Sequence, residues 1–129
     1  MKKLGILAIV VAIAALFAAC SALMPKTSID DCINNFMSDV NGNQGAIYNN
    51  LDPAAAKYSE AKAASYWNVY FGSGPYSLSN QYTVGSTVTA NISGGAYPSA
   101  PITFTMSTDS SGNAVISSIY ITGPGLIFN

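Results

Sequence analysis

Gly72-Ser73-Gly74-Pro75 divides this chain into two parts that cannot share one kind of secondary structure. Upstream, apolar residues recur every three or four positions, the period of a helix face; downstream they alternate, the period of a strand. Ile29, Cys32, Ile33, Phe36, Met37 and Val40 make one helical stripe. Ser28 stands before it as an N-cap with Asp31 three residues on, and Asn41-Gly42-Asn43 ends it. A short helical turn is predicted over 44–51, with Ile47, Tyr48 and Leu51 pointing inward. Asp52-Pro53 predicts a restart through Lys57, since an acid cap followed by proline suits a first helical turn. Residues 60–71 read as a last helix, with Ala63, Ala64, Trp67, Tyr70 and Phe71 on one face.

Four strands are predicted after Pro75. They cover 76–84, with Leu78 and Tyr82 on one face; 86–93, with Val88, Ala90 and Ile92; 102–108, with Ile102, Phe104 and Met106; and 114–122. In the last, Ile119 and Ile121 mark one face, Ile116 and Tyr120 the other. Asp109-Ser110-Ser111-Gly112-Asn113 is a turn, so the third and fourth strands form a hairpin, while Gly85 is a tight bend or bulge and 94–98 a longer loop. Helices followed by strands give an α+β class, with N-terminal helices packed on a curved antiparallel sheet of about four strands. The tail, 123–129, ends in Leu126, Ile127 and Phe128 and is expected to pack back on the sheet or to meet a partner.

At the N-terminus, Lys2 and Lys3 precede an apolar run from Leu4 to Ala19, and Cys20 follows directly. Charged start, apolar middle and small residues before a cut site are the parts of a signal peptide. Phe17-Ala18-Ala19-Cys20 resembles the lipobox of bacterial lipoproteins, although Phe17 stands where that group has Leu, Val or Ile. The resemblance implies cleavage after residue 19 and a diacylglycerol thioether on Cys20. It would place the protein in the cell envelope, on the outer or the cytoplasmic membrane and facing away from the cytoplasm; Ser21 after the cysteine fits the outer one. An ordinary signal cut near Ala22 and an uncleaved anchor are the alternatives. Residues 20–27 then form the lipidated cysteine and tether, and 28–122 the domain.

Charge and residue types narrow the function. After residue 19, Lys26, Lys57 and Lys62 face six acids, and the chain has no histidine and no arginine. Such a surface cannot displace counterions from phosphates, which argues against nucleic acid as a partner. Without histidine the commonest general base and metal ligand is missing. Asp30, Asp31 and Asp52 are accounted for by helix starts, Asp109 by a turn and Glu60 by a solvated helix face, whereas Asp39 lies off the apolar stripe. No phosphate loop, nucleophile elbow or paired metal ligands are present, so neither a cofactor nor a metal is expected. Cys32 lies on the apolar side of the first helix and reads as a buried small hydrophobe, the alternative being a reactive or intermolecular thiol.

Several segments look like one group of proteins. Tyr66-Trp67-Asn68-Val69-Tyr70-Phe71, Pro75-Tyr76-Ser77-Leu78, Pro101-Ile102-Thr103-Phe104-Thr105-Met106 and Ile116-Ser117-Ser118-Ile119-Tyr120-Ile121, in the order helix, short helix, helix and four strands, resemble the cystatin-like cone of the nuclear-transport-factor-two-like superfamily. The likeness is greatest to its small bacterial lipoproteins of unknown function and spans residues 28 to 122. It implies a curved sheet wrapped around a helix with a conical pocket. Trp67, Tyr70, Phe71, Tyr82 and Tyr120 are the candidate lining of such a pocket, with core filling between helix and sheet the favoured reading of Trp67, Phe71 and Tyr120. The function expected is that of a membrane-anchored, non-enzymatic small-ligand-binding or accessory domain. The alternatives are a cone-fold hydrolase or isomerase pairing Tyr120 or Tyr82 with Asp109 or Asp39, and a homodimerising structural module.

Overall fold

The computed structural model describes residues 26–129; the signal segment, Cys20 and most of the tether lie outside the described residues. Helix α1 (Ile29–Gly42) begins where expected, the Ser28 hydroxyl accepting the Asp31 N–H at 3.1 Å. It buries Cys32, Ile33, Phe36 and Val40. A 3-10 helix (Gln44–Asn50) follows and buries Ile47. Asn41 ties the end of α1 to the start of the sheet, donating from Nδ2 to the Tyr76 carbonyl and accepting the Tyr76 N–H on Oδ1.

The two later helical predictions are corrected. Asp52-Pro53 opens a series of turns instead of a helix. Leu51 makes a parallel bridge to Ile116, and the Asp52 N–H donates to the Ile116 carbonyl at 2.8 Å, so the chain enters this stretch extended. The Asp52 carboxylate then accepts the Ala54 N–H and closes a local turn. The helix expected over 60–71 is split into a 3-10 turn (Glu60–Lys62) and helix α2 (Ala64–Phe71). The Trp67 indole N–H donates to the Ala61 carbonyl at 2.8 Å, taking the acceptor that a continuous helix would offer to Ser65.

Five strands, not four, follow as an antiparallel meander in sequence order: β1 (Ser77–Val84), β2 (Thr87–Gly94), β3 (Tyr97–Thr108), β4 (Ala114–Ile121) and β5 (Gly125–Phe128). The fold is therefore α+β, helices first and an open sheet after. The added strand comes from the apolar tail: Ile127 and Phe128 enter the core while Gly125 and Leu126 pair with β4. The expected loop at 94–98 is instead a tight turn, and β3 starts at Tyr97. Gly94, at φ +127°, passes so close to Pro75 that a Cβ there would lie 2.0 Å from the Pro75 carbonyl oxygen.

Bulges change which side chains share a face. In β1 the register shifts between Ser79 and Tyr82, where Asn80 adopts φ +52°. The extra residue turns Tyr82 away from the face that Leu78 shares with Ile92. In β4 a shift opposite Thr105 and Met106 brings Ile116 onto the inner face with Ile119 and Ile121, against the alternation expected from sequence. Inside, Phe36 from α1 meets Trp67, Phe71 and Phe104 edge-on, with centroids 5.4–6.0 Å apart. This aromatic cluster binds α1 and α2 to the middle of the sheet.

Candidate functional site

The helices cover one face of the sheet and leave the other open. Strand pairing lays the open face out as a grid. One row runs Tyr82, Thr89, Thr103, Tyr120, Leu126 across all five strands; a second runs Val84, Thr87, Thr105, Ser118; a third Ser79, Asn91, Pro101. Thr87-Val88-Thr89 and Thr103-Phe104-Thr105 each send two threonines outward and one apolar residue into the core. The chain carries no Asp, Glu, Lys or Arg between Lys62 and Asp109, so this grid has no charge on β1, β2 or β3.

At the bulge the grid is hollowed. A depression of about 320 Å³ is lined by Asn80, Tyr82, Thr89, Ala90, Asn91 and Pro101. Left-handed backbone is uncommon outside glycine, and asparagine tolerates it better than most residues. Thr89 carries a second anomaly, a buried hydroxyl with no hydrogen-bond partner. Leaving a buried hydroxyl unsatisfied costs about 1–3 kcal/mol, and the Tyr76 hydroxyl likewise has no protein partner.

The five aromatic candidates divide between two environments. Trp67 and Phe71 are fully buried in the core, and Tyr70 is half-buried beside Tyr66 at a centroid distance of 5.5 Å. Tyr82 and Tyr120 project from the open face, 62% and 48% exposed, and share one row. The five residues therefore do not line one cavity between helices and sheet. Asn80, Thr89, Asn91, Pro101 and Thr103 accompany the tyrosines and were not singled out by sequence. Their trace is the pair of Thr-x-Thr repeats and the long uncharged stretch, both visible in the sequence.

Comparison of the chain with protein-family models, with curated proteins and with solved structures finds no match. The chemistry of the site is read from its own residues. Each acid has a structural position, Glu60 at the start of the 3-10 turn (Glu60–Lys62). Asp30 and Asp31 sit in the first turn of α1, and the Asp39 carboxylate accepts from the Asn50 amide at 2.9 Å. Asp52 accepts from the Ser107 hydroxyl at 2.7 Å. The Asp109 carboxylate accepts the Asn113 and Ser111 N–H groups, and the Asn113 backbone bond leads in holding its pKa below the usual value. No hydrogen bond joins Tyr82 or Tyr120 to an acid among the described residues. Nor do three or more metal-ligating side chains cluster among them.

Cys32 is buried, its Sγ pointing to the Asn50 carbonyl at 3.6 Å, and burial pushes the thiol up to about 11. Tyr66 lies on the helical side and donates its hydroxyl to the Ile127 carbonyl. Burial, with Tyr70 and Glu60 adding to it, raises that phenol to about 12. The exposed tyrosines of the open face and the perturbed groups of the helical side thus belong to different parts of the molecule.

Proposed function

We propose that this chain is a lipid-anchored bacterial envelope protein, a non-enzymatic small-ligand-binding or accessory domain whose working surface is the open sheet face. The observation that supports this most is the contrast between faces. The acids are engaged in a helix start, turns or hydrogen bonds or sit on the solvated helical side, while the open face presents uncharged hydroxyls, amides and two exposed tyrosines around a depression. Pockets that bind without reacting need shape and a few convergent polar groups, not a poised acid and base.

The anchor reading rests on residues 2–20, in which cleavage leaves Cys20 at the N-terminus with a diacylglycerol thioether on its sulfur. No helix among the described residues is long and apolar enough to cross a membrane. The cone-like reading of the fold draws on the order helix, 3-10 helix, helix, strands, and on bulges in four strand pairs that bend the sheet. Its interior is filled by Phe36, Trp67, Phe71 and Phe104, which is why ligand binding is assigned to the outside.

Native mass spectrometry of the full chain, extracted gently from bacterial membranes, tests the reading. A small molecule retained reproducibly is the expected result; turnover of a substrate by the purified chain would contradict it.

A second reading is favoured by the sheet edges. On one side β4 and β5 are covered by Leu51, by the Lys57 N–H donating to the Asn129 carbonyl, and by Tyr66. On the other, β1 is an edge strand, mostly exposed and without charge or proline. Such an edge can pair with the same strand of a second copy and so make this a homodimerising module. Light scattering on the full chain in micelles decides: a twofold mass supports pairing, and a monomer at high concentration removes it.

A further inference from the structure

We propose that the depression at the β1 bulge, continued along the row to Tyr120, is a binding site for a neutral oligosaccharide. The proposal rests on the reading of this chain as a binding module and names the ligand class.

Charge excludes the competing classes. Phosphates, carboxylates and ammonium groups need a counter-charge when they leave water, and none exists on β1, β2 or β3. Apolar ligands prefer enclosed, carbon-lined cavities, whereas this depression lies on an open sheet face and is bordered by two asparagines and a threonine. A neutral sugar suits both facts. Its hydroxyls both donate and accept, as do the amides of Asn80 and Asn91 and the threonine hydroxyls of the grid. Its ring presents a face of C–H groups, and Tyr82 offers an exposed aromatic plane with a polar tip.

Two departures from ordinary strand structure occur at this same place. The bulge with left-handed Asn80 puts an amide on the rim of the depression, and Thr89 keeps a hydroxyl that no protein group satisfies. Both are local departures with a cost, and such costs gather at binding sites. Tyr120 stands three strand intervals from Tyr82 in the same row, about 14 Å away at the usual strand spacing. One sugar ring cannot touch both tyrosines; a short chain lying across the strands can. The Thr89 and Thr103 positions between them keep the path polar and flat.

Titration calorimetry on the full chain, held in a zwitterionic detergent because glucoside detergents would compete, uses tetra-N-acetylchitotetraose, cellotetraose and maltotetraose as neutral probes and tetragalacturonic acid as a charged one. At least one neutral probe is expected to bind. Tyr82→Ala should weaken it about tenfold, the loss of one aromatic anchor, and Tyr120→Ala should weaken it less. Val69→Ala, an exposed change on α2, serves as the control that leaves binding unchanged. Circular dichroism shows whether each variant is folded, and Tyr82→Phe, which keeps the ring, should retain most of the affinity. The proposal is overturned if no neutral probe binds at millimolar concentration, if the charged probe binds best, or if both tyrosine variants bind like the wild type. A retained adduct in native mass spectrometry with no sugar binding would overturn the saccharide while leaving the binding module standing; failure of both measurements would remove both.

Discussion

Thr89 and Trp67 show how differently single residues are used on the two faces of one sheet. Trp67 is sealed among Phe36, Phe71 and Phe128, with its N–H satisfied by Ala61. Trp67→Ala is expected to cost ~3–5 kcal/mol in denaturant unfolding, the range for emptying a large aromatic site. Thr89→Val keeps the branched shape and removes a hydroxyl that has no partner. It is expected to raise stability by about 1 kcal/mol, and a loss of stability would mean that Thr89 is satisfied by something in solution. Cys32 is placed by the same logic: its thiol, raised to about 11 and buried, should resist a thiol reagent at pH 8 until denaturant is added. Rapid labelling of the folded chain would restore the reactive-thiol alternative. At this scale the sequence was informative about Cys32, because its stripe is unambiguous. It could not separate Trp67 from Tyr82, since two aromatic residues look alike until the elements beneath them are placed.

Elements were legible where their residues decide the matter locally. The cap at Ser28, the stripe of α1, the bend at Gly85 and the 109–113 turn follow from short-range chemistry and appear as expected. Bulges did not, because whether an extra residue is inserted depends on the partner strand, and each bulge inverts every side chain beyond it. Hence Tyr82 and Ile116 changed faces. The helix over 60–71 failed for a related reason, a distant packing demand on Trp67 taking a local carbonyl. Strand β5, paired with β4 and buried at Ile127 and Phe128, gains one side-chain bond from Tyr66 to the Ile127 carbonyl, which requires a protonated phenol. Because the folded pKa is raised, this contribution is complete below pH 10 and is lost as pH rises from 10 to about 12. Trp67 is the only tryptophan and touches both Tyr66 and Phe128, so its fluorescence should report a step in that window. Tyr66→Phe should abolish the step. At the other end of the pH scale the Asp109 turn behaves oppositely. Its folded pKa is lowered, so its contribution is complete above the ordinary value of 3.8 and disappears as pH falls through the lower folded value. Asp109→Asn should remove that acid dependence, measured by the exchange of the Ser111 and Asn113 amides.

The whole molecule has a helical side that completes the core and a bare side that meets its surroundings. The chain enters this arrangement at a fixed point. The Thr27 N–H donates to the Asn113 side chain and the Thr27 carbonyl accepts the Ala114 N–H, so the end of the tether is sewn to the β3–β4 turn. From Thr27 back to Cys20 the chain can extend no more than ~25 Å, so the lipid anchor we propose on Cys20 would hold that turn near the bilayer, with the open face beside it. Fold class was readable from the change of period at Pro75. The face we propose for binding was not, because it consists largely of ordinary Ser, Thr and Asn whose collective neutrality matters only once strands align them. Hydroxyl-radical footprinting of the full chain, in intact envelopes and after purification, tests most directly whether that face is the one in use. Tyr82 and Tyr120 are expected to be protected in the envelope and reactive when purified, with Tyr48 and Tyr58 on the helical side equally reactive in both. Protection of the helical tyrosines with Tyr82 and Tyr120 unchanged would contradict the account.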